Sequence, residues 1–237
     1  MKKYFAFLFA AAMCVFANAQ GYEGALRIEY KDSTGKANNA DIFIKGDKYY
    51  IKRAGGGSEK YTAYILDLKT GNLTCINDLN PKSAVIFNRD KVLGIYEKSK
   101  FKPGYKMHET QPYKASPATK KIGDINATPK KAASESTLYE ISTADIKVNF
   151  HALIPVLRIA GFWNDIEDGS NAILEGKTTN RKTNKVSTIT VTPTKMKPED
   201  KLFEVPKGYQ QVDLNRFIAE QAQSPKLADL VRGLAGF

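Results

Sequence analysis

Residues 41–53 read Asp-Ile-Phe-Ile-Lys-Gly-Asp-Lys-Tyr-Tyr-Ile-Lys-Arg, two β-branched and aromatic runs on either side of Gly46-Asp47. In the first run Ile42 and Ile44 share one side and Phe43 takes the other. In the second, Tyr49 and Ile51 share one side and Tyr50 and Lys52 the other. A period of two is that of a β-strand, and a Gly-Asp pair between two strands is a hairpin signal. The same texture extends outward. Gly24–Tyr30, Asp41–Lys45, Lys48–Arg53, Tyr61–Leu68, Leu73–Asn77 and Ser83–Asn88 read as strands. They are separated by Ser33-Thr34-Gly35-Lys36, Gly46-Asp47, Gly55-Gly56-Gly57-Ser58, Thr70-Gly71-Asn72 and Asn80-Pro81. Short strands at this spacing predict an antiparallel meander. Several carry apolar residues on both faces, which predicts either that both faces are covered, as in an ordinary two-layer core, or that one lines a cavity. Ile42, Ile44, Tyr49 and Ile51 are the candidate cavity residues of this region.

Past residue 97 the character changes. Residues 98–131 hold nine lysines against Glu109 and Asp124, and are broken by Pro103, Pro112, Pro117 and Pro129. Such a run reads as a solvated loop enclosing at most one short strand. Its functional alternative is contact with an anionic surface or a partner through Lys98, Lys100, Lys102, Lys106, Lys120 and Lys121, with Phe101, Tyr105 and Tyr113 interleaved. Strand texture returns in Ser136–Ser142 and in Asp145–Phe150, where Ile146, Val148 and Phe150 share a face. Pro155–Ile166, with Phe162 and Trp163, reads as a short helix or a flap. Ile146, Val148, Phe150, Phe162 and Trp163 complete the candidate apolar site. Ala172–Thr179 and Lys185–Thr192 form a predicted hairpin, its second strand alternating Val186, Thr188, Thr190 and Thr192 with Ser187, Ile189 and Val191. Residues 214–237 read as two short amphipathic helices. Asp213 caps the first, Ser224-Pro225 starts the second, and Leu227, Leu230, Val231 and Leu234 form its stripe.

The chain of 237 residues is 42% hydrophobic, enough for a core, and has a mean hydropathy of −0.39. Wholesale disorder and a polytopic membrane protein are thereby excluded. The first 19 residues have the layout of a secretory signal peptide. Lys2 and Lys3 precede an apolar run from Tyr4 to Phe16, and Ala17-Asn18-Ala19 predicts cleavage after Ala19. Loss of Lys2 and Lys3 lowers the formal charge from +11 to +9. Cys14 follows Met13, which argues against lipidation. Cys75 then has no internal disulfide partner and reads as a buried core residue. In an exported protein a basic balance points to an anionic surface or an acidic partner rather than to nucleic acid. The expected location is the periplasm, with the outer membrane as a place of association and no membrane span in the processed chain.

Three blocks, in order, carry a family resemblance: Gly24-Ala25-Leu26-Arg27-Ile28-Glu29-Tyr30, Ile42–Ile51, and Ile189-Thr190-Val191 leading into Leu202-Phe203-Glu204-Val205-Pro206-Lys207-Gly208-Tyr209. Together they resemble a family of exported Gram-negative envelope proteins built on a domain of unknown function, with the fold of the LolA/LppX-type lipoprotein carriers. Thr119-Lys120-Lys121-Ile122-Gly123-Asp124 resembles a further block of related envelope proteins. The resemblance implies a mainly β (α+β) architecture over residues 20–213, an antiparallel unclosed half-barrel of LolA-like type with a few short helices. It also implies a concave apolar face that holds a lipid or a lipidated protein.

Chemistry-bearing motifs are sparse. Gly55-Gly56-Gly57 lacks the Lys-Ser/Thr of a phosphate loop, and there is no G-x-S-x-G or H-E-x-x-H. His108 and His151 stand far apart without neighbouring ligands. The expectation is a chain with no cofactor, no metal and no catalytic residue, acting as a carrier for an apolar ligand. An accessory envelope protein that docks a partner is the alternative, and a hydrolase of envelope material the third reading.

Overall fold

A computed structural model describes residues 22–54, 62–79, 81–88, 113–148, 153, 157 and 172–212. The first meander comprises β1 (Glu23–Lys31), β2 (Ala37–Lys45), β3 (Lys48–Ala54), β4 (Ala63–Asp67), β5 (Asn72–Asn77) and β6 (Ser83–Asn88). Then come the short β7 (Lys114–Ala115) and β8 (Lys120–Ile122), followed by a second meander of β9 (Ile125–Ala133), β10 (Thr137–Ala144), β11 (Ala172–Asn180) and β12 (Val186–Thr194). A 3-10 turn, Asp200–Phe203, and β13 (Gln210–Val212) complete the described chain.

All of these strands belong to one sheet, in the order β13-β6-β5-β4-β3-β2-β1-β12-β11-β10-β9-β7, with β8 paired to β9. The two meanders meet at an antiparallel seam in which Ala25–Lys31 of β1 pairs with Thr188–Thr194 of β12. β13 pairs with β6 in parallel. The two ends of the strand order do not pair, so the sheet stays open: a mainly β half-barrel.

Alternation in the sequence decides the inner face. β1 buries Gly24, Leu26, Ile28 and Tyr30 and exposes Glu23, Arg27, Glu29 and Lys31. Register carries that alternation across the sheet. Leu26, Ile42, Ile51, Tyr64, Cys75 and Val85 stand opposite one another, strand by strand, from β1 to β6. Ile44, Tyr49, Leu66, Leu73 and Phe87 form the next row. Both rows belong to one core cluster, which Ile141, Ile173, Ile189 and Val191 continue into the second meander. Each such side chain contributes about 1.5–3 kcal/mol on burial. Two hairpins share a device. Gly46 (φ +59°) and Gly123 (φ +57°) each begin a two-residue Gly-Asp loop, closed by Lys45–Lys48 and Ile122–Ile125 respectively. Positive φ at the first loop position is the type II′ signature that glycine adopts without strain.

Two expectations change. The basic stretch is not simply a loop: of the part that is described, 113–131 contains β7, β8 and most of the nine-residue β9. Asp145–Val148 is not a strand. The β10–β11 ladder ends at Ala144 opposite Ala172. Beyond it the chain makes two successive i to i+2 bonds, Ile146 N–H to the Ala144 carbonyl (2.9 Å) and Val148 N–H to the Ile146 carbonyl (2.7 Å). These γ-turn bonds keep Val148 turned into the core without a neighbouring strand. The closing Leu202–Tyr209 block opens with the end of a 3-10 turn and packs against the outer face of the first meander. The helical tail read for 214–237 lies outside the described residues. Of the apolar stretch 155–166 only Leu157 is described. It and Leu153 are helical, one turn apart, and fully buried in the core cluster.

Candidate functional site

The inner face brings together most of the candidate apolar residues. Ile42, Ile44, Tyr49 and Ile51 lie side by side on β2 and β3, and each is 0–3% exposed. Val148 joins the same cluster and Ile146 packs against its edge. Phe150, Phe162 and Trp163 lie outside the described residues. No charged side chain is among the buried described residues. The Cys75 thiol at the centre of the face is pushed far up by burial, so it supplies no thiolate. This surface offers dispersion and desolvation, and Leu153 and Leu157 belong to the same buried cluster.

The outer face differs between the halves. On the first meander Phe43, Tyr50 and Ile65 are opposite one another in β2, β3 and β4. With Ala63 and Ile76 they form a second apolar cluster, roofed by Leu202, Phe203 and Tyr209. The roof is tied down at several points. The Lys45 ammonium pairs with Asp200 at 2.6 Å. Thr62 donates its hydroxyl to Asp78 Oδ2 at 2.5 Å, and Tyr209 donates its hydroxyl to Asp78 Oδ1. Lys82 Nζ lies 5.6 Å from the centre of the Tyr209 ring. The Thr62 hydroxyl foremost, then that of Tyr209 and the charges of Lys82 and Lys52, hold the Asp78 carboxyl below its ordinary range. The bond to Asp78 in turn pushes the Tyr209 phenol up to about 12.

On the second meander the outer face is polar. One register row runs Lys114, Lys131, Glu140, Lys177, Thr188 and Lys31 across β7, β9, β10, β11, β12 and β1. The next runs Pro129, Ser142, Glu175 and Thr190. Glu140 pairs with Lys131 at 2.8 Å and Lys177 at 3.6 Å, and Lys120 pairs with Glu175. Of these, Lys120, Lys131, Glu140, Lys177, Thr188, Pro129, Ser142, Glu175 and Thr190 line a groove of about 360 Å³. Lys121 is exposed on β8 beside it. Lys98, Lys100, Lys102 and Lys106 lie outside the described residues. Among the described residues no group of His, Cys, Asp and Glu side chains could hold a metal ion, and no helix is long and apolar enough to cross a membrane. The groove and the roof were not foreseen from sequence. Alternation in 186–194 was visible, but which charges face Thr188 depends on register between strands far apart in the chain.

This is an open β half-barrel with an apolar inner face. No protein-family model matches the chain, and no curated protein matches it. Among solved structures, an uncharacterized conserved protein from Thermus thermophilus is similar over 81% of this chain and 91% of that one, at 10% identity and a TM-score of 0.45. PNGF-II is similar over 89% of this chain at 15% identity and a TM-score of 0.40, and this chain spans 32% of its length. A LolA superfamily protein from Nitrosomonas europaea is similar over 79% of this chain and 91% of that one, at 10% identity and a TM-score of 0.32.

Proposed function

We propose that this protein is a non-catalytic binding protein of the cell envelope that carries an apolar ligand, an acyl chain of a lipid or of a lipidated protein. The observation that supports this reading is the inner face. Aliphatic and aromatic side chains run in unbroken register rows across six strands of an open sheet, with no buried charge among them. Apolar surface of that kind binds by exclusion from water and asks little of its ligand beyond shape. The export signal read in residues 1–19 supports a periplasmic location. The Lys131 ammonium holds Glu140 below its ordinary range, so this carboxylate is not poised as a general acid.

Native mass spectrometry of the processed chain, purified from the envelope without detergent and followed by organic extraction, tests the proposal. A discrete adduct that extracts as lipid supports it. A clean unliganded mass that is also indifferent to added lipids overturns it and leaves partner docking as the reading.

A further inference from the structure

We propose that the groove on the outer face of β9–β12 is a binding site for a phosphate group. Its floor is two register rows of the sheet, and the β8–β9 hairpin forms a wall that brings Lys120 and Pro129 to its rim. Lys131 and Lys177 flank Glu140 in one row of the floor. Lys120 adds an ammonium from above, opposed by Glu175, and Lys130 also lines the groove, so four lysines stand against two carboxylates. The balance is cationic, and ammonium groups on three sides suit a compact oxyanion better than a flat carboxylate.

The floor adds hydroxyl groups: Ser142, Thr188 and Thr190 all line the groove. A hydroxyl can donate to an oxyanion at no cost in charge. Ser142 lies between Pro129 and Glu175 in its row, and the proline has no N–H. A phosphate oxygen seated over Ser142 accepts that hydroxyl and meets the ammonium groups of Lys131, Lys177 and Lys120. Thr188 and Thr190 close the side towards β1. The lysines are available for exchange: their ion pairs with Glu140 and Glu175 lie at half-exposed positions, where such pairs are weakly held. The groove is on the face of the sheet opposite the apolar rows, so this site stands whether or not the inner face carries a ligand.

The same chemistry is presented by free phosphate and by a phosphomonoester lipid headgroup, and two probes separate them. Inorganic phosphate is titrated into the isotope-labelled processed chain with amide shifts as readout. Flotation uses phosphatidylcholine vesicles with and without phosphatidic acid. Saturable shifts around Lys131, Ser142 and Lys177 are expected, without an equal response to chloride. The double variant Lys131→Gln, Lys177→Gln is expected to weaken phosphate about tenfold, and Ser142→Ala several-fold. Glu140→Gln is expected to strengthen it several-fold, because it removes the internal competitor, a sign that general loss of structure does not produce. Each variant is checked for an unchanged melting temperature. Flotation dependent on phosphatidic acid and lost in the double variant assigns the headgroup as the source. Phosphate shifts without flotation assign a soluble phosphate. No saturable shift, or shifts indifferent to both the lysine and the Glu140 variants, overturns the site.

Discussion

The two meanders share an inner face and differ in their outer one. In β1–β6 the outer positions Phe43, Tyr50, Ile65 and Ile76 are apolar, and a distant segment, 200–209, is folded back to cover them. In β9–β12 the corresponding positions are Lys131, Glu140, Lys177 and Thr188, and they face a groove. A sheet face that is apolar must be covered, and one that is polar is free to meet a solute. The composition of alternate residues therefore decides which half of the barrel needs a roof.

That contrast is breakable in graded ways. The largest effect belongs to the face the halves share. Leu66→Ala in the first and Ile189→Ala in the second each empty a buried position, and each is expected to cost about 3–4 kcal/mol in urea unfolding. A cost in only one half would show that the inner face is not continuous. Next comes the roof. Phe203→Ala is expected to cost about 3 kcal/mol, whereas Thr190→Ala on the uncovered half should cost less than about 0.5 kcal/mol. The seam is third. A Cβ on Gly24 would sit 2.6 Å from the Thr194 carbonyl oxygen, closer than such atoms approach. Gly24→Ala is expected to destabilise by about 2 kcal/mol and to raise amide exchange along β1 and β12 first.

The smaller effects concern polar ties. Tyr209→Phe removes the bond to Asp78 and is expected to cost about 0.5–1 kcal/mol at neutral pH. The folded phenol titrates near 12 against an ordinary 10.0. Its contribution is complete below pH 10 and is lost between about 10 and 12. Asp78 is depressed, so its contribution is present above the ordinary carboxylate range and is lost as pH falls through the depressed value. Stability measured against pH should therefore fall less steeply on the alkaline side in the phenylalanine variant, Tyr22 and Tyr50 still being raised by burial, while the acid limb shrinks only in part, since Thr62 still serves Asp78. At the bottom stands Glu140→Gln, expected to change stability by less than about 0.5 kcal/mol despite its two lysine neighbours.

Much of this fold was legible. Each of the first six strands appears within four residues of where period-two alternation placed it, and the hairpin of 172–194 follows the Thr and Ile alternation residue by residue. The β8–β9 hairpin was not read, although Ile122-Gly123-Asp124-Ile125 repeats the turn chemistry of Lys45-Gly46-Asp47-Lys48. Lysines, alanines and Pro129 hid the alternation there, because a strand with one open face needs few large apolar residues. The roof was invisible for a different reason. Tyr209 and Asp78 are 131 residues apart, and no local period announces a bond of that span. The groove needs register as well as alternation, since a slip of one residue would turn Glu140, Lys177 and Thr188 inward. The candidate apolar residues were legible as a set, but the same alternation marks a core and a ligand face alike.

The seam between β1 and β12 also sets an order of events. The first meander zips from neighbour to neighbour as soon as its hairpins exist. One edge of β1 must nevertheless wait until Thr188–Thr194 have been synthesised, and the apolar outer patch waits longer still for Phe203 and Tyr209. Long-range pairings of this kind are slow to close. The nascent chain thus spends most of its synthesis with an unpaired strand edge and an uncovered aromatic patch, both offered to whatever holds a chain unfolded, and the last quarter of the sequence ends that exposure.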